Sequence, residues 1–562
     1  MTLAAKSVRY WHTLRHLKPV QVYGRLWFKL HQSKIDVIDL APSLRVQQGK
    51  WAPPVAHKST MLGPCRFKFL GVEHDLPANG GWNDSALEKL WLYNLHYFED
   101  LNAESAHDRT SWHSALIQRW VAENPPSYGN GWEPYPTSLR IVNWVKWALE
   151  GNVVPAVCVL SLATQARWLC RRLEVHLLGN HLFANAKALV FAGLYLEGPE
   201  AEQWLAKGLG ILARELPEQV LPDGGNFERS PMYHAIFLED LLDLLNIANA
   251  YVSPAPTALV AQWRDASLRM LDWLQGITHP DGQIAMFNDA AFGIAATADG
   301  LAAYAGRVLG TDAVLSGLPR CGAPCNDGGG GLRYRQWADS GYIRLECADA
   351  VALLDVARIG PDYLPGHAHA DTLSFELSVF GQRVIVNGGT SRYGSGAERL
   401  RERQTLSHST VEVDGQSSSE VWGGFRVARR AYPFDLTVSE SREVLSVACS
   451  HDGYKRLQGK PVHRRSWQLS PNHIEVADSV SGSGLPAVAR YILHPNVGVE
   501  RVAPDSFHLQ LANGRLILVK ISKGLVRLER AAFAPEFGTV LPTQCIVVDL
   551  QDGKAQVRMS WS

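Results

Sequence analysis

Residues 325–357 read CNDGGGGLRYRQWADSGYIRLECADAVALLDVA, and the texture of the chain changes inside them. A glycine run gives way at Gly341 to GYIRLECADAVALLDVA, where the apolar period is two, the period of a strand. The same alternation continues through DTLSFELSVFGQRVIVNGG, HIEVADSV, AVARYILHP, SFHLQLANGRLILVKI and CIVVDLQDGKAQVRM. FGQR, ANGR and QDGK read as hairpin turns with glycine where positive φ is needed. Many short strands without intervening helices predict stacked antiparallel sheets.

Upstream of this stretch the period is helical. ALEKLWLYNLHYFEDL (86–101) spaces Leu87, Leu90, Trp91, Asn94, Leu95 and Phe98 by threes and fours,. SWHSALIQRWVAE, TSLRIVNWVKWALE, PAVCVLSLATQARWLCRRLEVH, NHLFANAKALVFAGLYL, EAEQWLAKGLGILARELPEQV, MYHAIFLEDLLDLLNIANAY and ALVAQWRDASLRMLDWLQGI follow, punctuated by Gly, Pro and Asn,. Helices in such a series wind into a toroid or stack as a solenoid. No sequence repeat of fixed period supports a regular array. The expected class is α+β multidomain. Its expected parts are an N-terminal extension (1–75), a helical domain (76–327) and an antiparallel β-sandwich domain (328–562).

The composition sets bounds on function. Of 562 residues, 46% are hydrophobic and 20% charged, which excludes disorder, collagen and coiled coil as whole-chain readings,. Lys and Arg number 55, as do Asp and Glu, so the basic excess of a dedicated nucleic-acid binder is missing,. Of eight cysteines only Cys321 and Cys325 are close in sequence, so reduced, mostly buried thiols are expected rather than a four-cysteine zinc site,. MTLAAKSVRYWHTLRHLKPVQVYGRLWFKL is interrupted by Arg, His and Lys throughout and does not read as a signal peptide,. No segment reads as a transmembrane helix. The expected location is the cytoplasm, with the periplasm as the alternative. The cationic, aromatic start suits either a membrane surface or a helix docked on the body.

Five polar constellations stand out. Gly366-His367-Ala368-His369-Ala370-Asp371 would put His367, His369 and Asp371 on one face of a strand, a costly arrangement unless it binds metal or moves protons,. Gly179-Asn180-His181 opens a helix, where free N–H groups attract a carboxylate. In DGGNFERSPMYH (223–234), Pro231 after Ser230 fits a helix start, and Glu228, Arg229, Tyr233 and His234 crowd one turn,. TSRYGSG with RERQTLSHSTVEVDG brings Tyr393, Arg401, Arg403 and His408 near one another. NPPSYGNGWEPYPTSLRIVNW interleaves Tyr128, Trp132, Tyr135 and Arg140, and aromatic faces stack on sugars while Arg forks onto carboxylates,. Eighteen tryptophans lean the same way, toward carbohydrate.

Together GNHLFANAKAL, DGGNFERSPMYH, GHAHADTLSFEL and TLSHSTVEVDG, in this order, resemble the heparinase II/III family of polysaccharide lyases and the related alginate lyases. The resemblance runs from about Trp91 to the C-terminus. It implies an incomplete (α/α) toroid followed by a β-sandwich, and cleavage of uronate-containing glycan by β-elimination. It implies Asn180, with His181, at the substrate carboxylate, Tyr233 as catalytic acid and, for one epimer, base, and His367 as base for the other. Trp132, Arg140, Glu228, Arg229 and Tyr393 are candidate substrate-binding residues, argued from residue type, with Glu228 orienting its neighbours. The resemblance also implies one Zn²⁺ held by His369, the position of Asn387, and His408. Asn387 stands where an aspartate is expected and is a poorer ligand, so a hydrogen-bond network is the alternative there. The expected partner is an acidic polysaccharide or oligosaccharide, and a homodimer stays open. With no leader read in the sequence, the expected substrate is the producing cell's own capsule, exopolysaccharide or lipopolysaccharide glycan. Three other readings compete: a glycoside hydrolase using Asp223, Glu228 and Asp289, a non-catalytic glycan-binding protein of an export system, and an H-x-H metal oxygenase.

Overall fold

The protein is described from a computed structural model that covers residues 3–31, 41–251, 255–310, 331–482 and 484–562. Cys321, Cys325 and the expected boundary at 327/328 lie outside those residues.

The helices are α1 (Leu3–Leu14), α2 (Pro19–Leu30), α3 (Lys89–Tyr97), α4 (Thr110–Glu123), α5 (Pro134–Leu149), α6 (Ala156–Arg171), α7 (Gly179–Tyr195), α8 (Pro199–Gln219), α9 (Pro231–Ala250), α10 (Thr257–Gly276), α11 (Ala298–Leu309) and α12 (Ala397–Arg403). Helix α7 is apolar nearly all round and sits at the centre, packed on α5, α6, α8 and α9, while α9 carries α10 and α11. An all-apolar helix is stable only when neighbours cover every face. Close approach helps: a Cβ on Gly208 of α8 would lie 2.8 Å from the Ala186 carbonyl oxygen of α7. This packing gives the toroidal half.

Helix α3 ends earlier than the apolar spacing predicts. Phe98 turns left-handed at φ 61° and a short 3₁₀ turn, Glu99–Asn102, follows. A small sheet of Met61–Gly63, Arg66–Phe69 and Val72–Asp75, whose signal is too short to read from sequence, precedes it. The segment leading through it is tied to the helices by Trp51 to Glu150 (2.6 Å), by Ala52 to Asn246 (2.9 Å) and by the His57–Glu239 ion pair (3.0 Å).

The C-terminal half has two large sheets in which every strand pairing is antiparallel. One runs Leu525–Phe533, Leu541–Asp549, Ala487–Leu493, Gln382–Val386, Phe375–Val379, Ala350–Asp355, Tyr342–Glu346, Arg333–Trp337, with Val411–Val413 also paired to Ala487–Leu493. The other runs Pro433–Glu440, Leu445–His451, Val462–Ser470, His473–Ser481, Lys554–Trp561, Leu516–Lys523, Ser506–Gln510, Gly498–Ala503. Their facing apolar residues, among them Leu345, Phe375, Trp467, Val476, Tyr491 and Val557, form one buried core, as the period-two pattern requires.

The two halves share a second core. Trp337, Tyr342, Leu353 and Phe533 of the sheet half belong to the same buried cluster as Trp273 and Ile277 of the helical half. Polar groups pin this seam: Trp273 Nε1 donates to Ser340 Oγ (2.9 Å), His279 bonds Glu376 (2.9 Å), and Arg383 pairs with Asp281 (2.7 Å).

The H-x-H segment corrects the sequence reading. Residues 361–374 form turns, not a strand, and Leu373 has φ 63°. His367 therefore reaches a cleft while His369 and Asp371 are buried, and the three do not share a face. Asp371 accepts from the Asn288 N–H (2.8 Å), which holds the loop against the helical half.

Candidate active site

A cleft of about 530 Å³ opens at the seam of the two halves. Its lining includes Lys89, Tyr93 and Tyr97 from α3, Tyr135 from α5, Asn180 and His181 from α7, Tyr233 from α9, His367, and the 392–396 loop with Tyr393. Four of the residues singled out as catalytic, Asn180, His181, Tyr233 and His367, therefore converge from positions up to 187 residues apart, together with Tyr393.

Helix starts aim three of them. Leu178 (φ 63°) and Gly179 (φ 54°) turn the chain sharply into α7, presenting Asn180 and His181 at its first turn. Glycine takes this positive φ without strain, and a Cβ there would have to displace Leu364 Cδ2, 2.5 Å away,. Ser230 caps α9 by accepting from the Tyr233 N–H (3.1 Å), and Pro231 follows at the first helical position, as the sequence predicts,.

Asp289 organises the centre. It is wholly buried and accepts from Arg399 Nη2 (2.7 Å), His367 Nδ1 (3.0 Å) and His369 Nε2 (2.7 Å), with a second contact from Arg399 Nη1. Burial alone would push its carboxyl upward, but the Arg399 guanidinium and the two histidines hold it well below the usual carboxylate range,. A carboxylate only accepts, so His367 Nδ1 carries a proton, and the neutral form of the ring has its lone pair on Nε2. The His367 ring lies against the Tyr233 ring, centroids 3.7 Å apart. The Tyr233 hydroxyl is 2.9 Å from that of Tyr393. Burial first, then Tyr393 and Asp289, raise the Tyr233 phenol well above its ordinary value, so it stands protonated.

Glu228 is buried 3.7 Å from His367 Nε2, and burial raises its carboxyl. His181 lies 3.2 Å from Glu174; burial opposes its charge, but Glu174 together with Glu228 raises it. The Asn180 side-chain amide faces the cleft without a protein partner among the described residues.

Three expected substrate contacts lie elsewhere. Trp132 is 3% exposed, packs on Trp120 at 5.8 Å and donates to the Asn124 carbonyl. Arg140 is closed over the Trp120 ring at 3.8 Å and bonds Gln165 (2.9 Å). Arg229, at φ 60°, turns away to the Arg358 and Asp339 carbonyls. Their residue types suit sugar binding, but their places in the fold are structural. Lys89, Tyr93 and Tyr97, by contrast, line the cleft although none is singled out from the sequence. Their i, i+4, i+8 spacing was the available signal, because it sets them on one face.

The residues implied for zinc do not fit it. Asn387 Oδ1 already accepts from the Ser409 N–H (3.0 Å), and its buried Nδ2 is a donor without a partner. Since His369 Nε2 donates to Asp289, its Nδ1 is the acceptor for His408 Nε2 at 3.2 Å. Burial lowers these histidines to about 4 and about 3, so both are neutral. The two imidazoles are thus paired with each other, and the carboxylate beside them, Asp289, is already taken by Arg399 and His367. Among the described residues no three His, Cys, Asp or Glu side chains are grouped to hold a metal.

Two family models, "Heparinase II/III N-terminus" and "Heparinase II/III-like, C-terminal", match residues 110–302 and 330–562. The chain belongs to the heparinase II/III-like family. Family relatives include a heparin-sulfate lyase of Bacteroides stercoris, 24% identical over 54% of this chain and 44% of its own length. Another, from Pedobacter heparinus, is 28% identical over 42% of this chain and 36% of its own. The chain thus matches less than half the length of these relatives. Among solved structures, heparinase III superposes with a TM-score of 0.67 at 18% identity, over 86% of this chain and 80% of that one. A heparan sulfate lyase from Pedobacter heparinus superposes at 0.58 and 18%, over 88% and 81%. These likenesses establish the family's helical toroid plus β-sandwich fold.

Proposed function

We propose that the chain is a polysaccharide lyase that cleaves a uronate-containing glycan by β-elimination. The carrying observation is the Tyr233–His367 pair, ring on ring at 3.7 Å in the cleft, with His367 oriented by Asp289. The activity in the names of the relatives, heparin-sulfate lyase, puts a glycosaminoglycan first among substrates.

The chemistry follows from the protonation states. His367 Nε2 carries a lone pair and takes the proton from C5 of the uronate. The C5 electrons form the C4–C5 double bond as the C4–O4 bond breaks. The protonated Tyr233 hydroxyl gives its proton to the departing O4, and solvent restores it. For the other C5 epimer Tyr233 acts after giving its own proton to solvent: the phenolate takes the C5 proton and hands it to the departing O4. Asn180 and His181 meet the uronate carboxylate at the start of α7, where the Asn180 amide and an imidazole whose charged form Glu174 favours stabilise the charge that builds there,.

The geometry disfavours a hydrolase. Asp289 is sealed behind two histidines and Arg399, and Asp223 is spent on the Ser340 N–H (2.7 Å). Neither leaves a carboxyl free to face a glycosidic bond.

The test is ultraviolet absorbance of the C4–C5 double bond on a panel of heparan, hyaluronan, alginate and the producing cell's own polymer. Absorbance should rise on at least one. Tyr233→Phe and His367→Ala should each lower the rate by about 10²–10⁴-fold with unchanged melting temperature. Full activity in both variants, or products with ordinary reducing ends and no double bond, defeats the proposal.

A further inference from the structure

Helix α2 presents two apolar faces, and only one is used. Its inner face docks: Gln21 donates to the Tyr363 carbonyl (3.0 Å), Gly24 lies against His176, and Phe28 packs on His176 at 4.5 Å. Its outer face carries Val22, Tyr23, Leu26, Trp27 and Leu30, all exposed, Trp27 at 63% and Leu30 at 80%. At about 100° per residue these five fill one continuous arc of about 140°. Four of them, Tyr23, Leu26, Trp27 and Leu30, border with Gly24 and Val175 an open apolar groove of about 510 Å³. Helix α1 repeats the pattern. Tyr10 and Thr13 hold Trp422, while Val8, Trp11 and Leu14 are exposed. Trp11 and Trp27 are the only exposed tryptophans among the described residues; all others are buried or half-buried.

Charge accompanies this apolar surface with one sign. Residues 1–35 hold Lys6, Arg9, Arg15, Lys18, Arg25, Lys29 and Lys34 and not one Asp or Glu. The whole chain is neutral, so the segment is a local departure. Lys18 is paired with Glu218. Arg25 and Lys29 are exposed and follow the edge of the α2 arc.

We infer that this two-helix face docks on the surface of an anionic lipid bilayer. A leaflet offers what the face lacks: an apolar layer for Leu26, Trp27 and Leu30 and, just above it, phosphate charges for the cations at the edge. Tryptophan and tyrosine favour that boundary. Each helix has 12 residues, far short of a span, and no helix among the described residues is long and apolar enough to cross a membrane,. The helices lie in the interface plane while their inner faces keep hold of the body. The lyase reading is not required for this inference, and neither test depends on the other.

Flotation of the full chain with vesicles tests it, using phosphatidylcholine alone or mixed with phosphatidylglycerol. The chain should float with the mixed vesicles, not with phosphatidylcholine alone, and high salt should release it. Trp27→Ser with Leu30→Ser should weaken partitioning more than about tenfold, and Arg25→Glu with Lys29→Glu by a similar factor. These side chains are exposed, so melting temperature should not move. Three results overturn the inference: no partitioning on anionic vesicles, partitioning that neither double variant changes, or a chain that ignores vesicles but self-associates until Trp27→Ser and Leu30→Ser disperse it. The last makes the face an interface between copies.

Discussion

Trp132 and Tyr135 stand three residues apart in a motif rich in sugar-binding residue types, and the structure gives them opposite roles. Tyr135 lines the cleft against His181, ring centroids 4.5 Å apart. Trp132 is closed among Trp120, Trp168 and Asn124. Trp132→Ala should therefore lower unfolding stability by about 3–5 kcal/mol, read by urea titration, and leave KM of the folded fraction unchanged. A large rise in KM with unaltered stability would return Trp132 to the substrate. Tyr233 and His367 were legible because their motifs are dense in titratable groups. Asp289 was visible only as a carboxyl in MFNDAAFG; its role as organiser depends on Arg399, 110 residues away, meeting it in the fold.

Elements acquire their positions from ties that local periodicity does not encode. The segment before α3 is clamped to α9 by His57 and Glu239. The Glu239 carboxylate raises the His57 imidazole to about 9. A folded-state value above the unfolded 6.5 means the pair's stabilisation is complete below about pH 6.5 and is lost as pH rises through about 9. Urea midpoints at about pH 6 and about pH 9.5 should differ by a share on the order of 2 kcal/mol that His57→Gln removes. An equal pH slope in the variant would dismiss the clamp. Helix boundaries were mostly readable, since Gly179, Ser230-Pro231 and Gly276 punctuate the apolar spacing. The early end of α3 was not, because apolar residues continue through Phe98 while the backbone turns left-handed there.

At the scale of the whole molecule, the seam between halves is packed too closely for them to be independent. A Cβ on Gly276 would lie 2.1 Å from Trp337 Cζ2 across that seam. Gly276→Ala must push the sheet off α10, at a cost of about 1–3 kcal/mol or more. Calorimetry should show one transition, displaced as a unit in this variant. Two transitions, of which only one shifts, would mean that the halves unfold separately. The cleft lies on this seam, so the same close packing that couples the halves also holds Tyr233 of the helical half against His367 of the sheet half.

The sequence by itself determined the two textures, their order, and the four motifs that carry Asn180, Tyr233, His367 and His408, because period and residue type are local properties. Tertiary structure decided which of those residues face the cleft. His367 and His369 are two residues apart, yet one is open and one sealed, since the loop that bears them turns instead of running as a strand. It also decided that Asn387 Oδ1 is taken by the Ser409 N–H, that His408 pairs with His369, and that the apolar arc of α2 is left uncovered. Each of these depends on which distant atoms fill a site, and burial and pairing of that kind are settled only when the whole chain has packed.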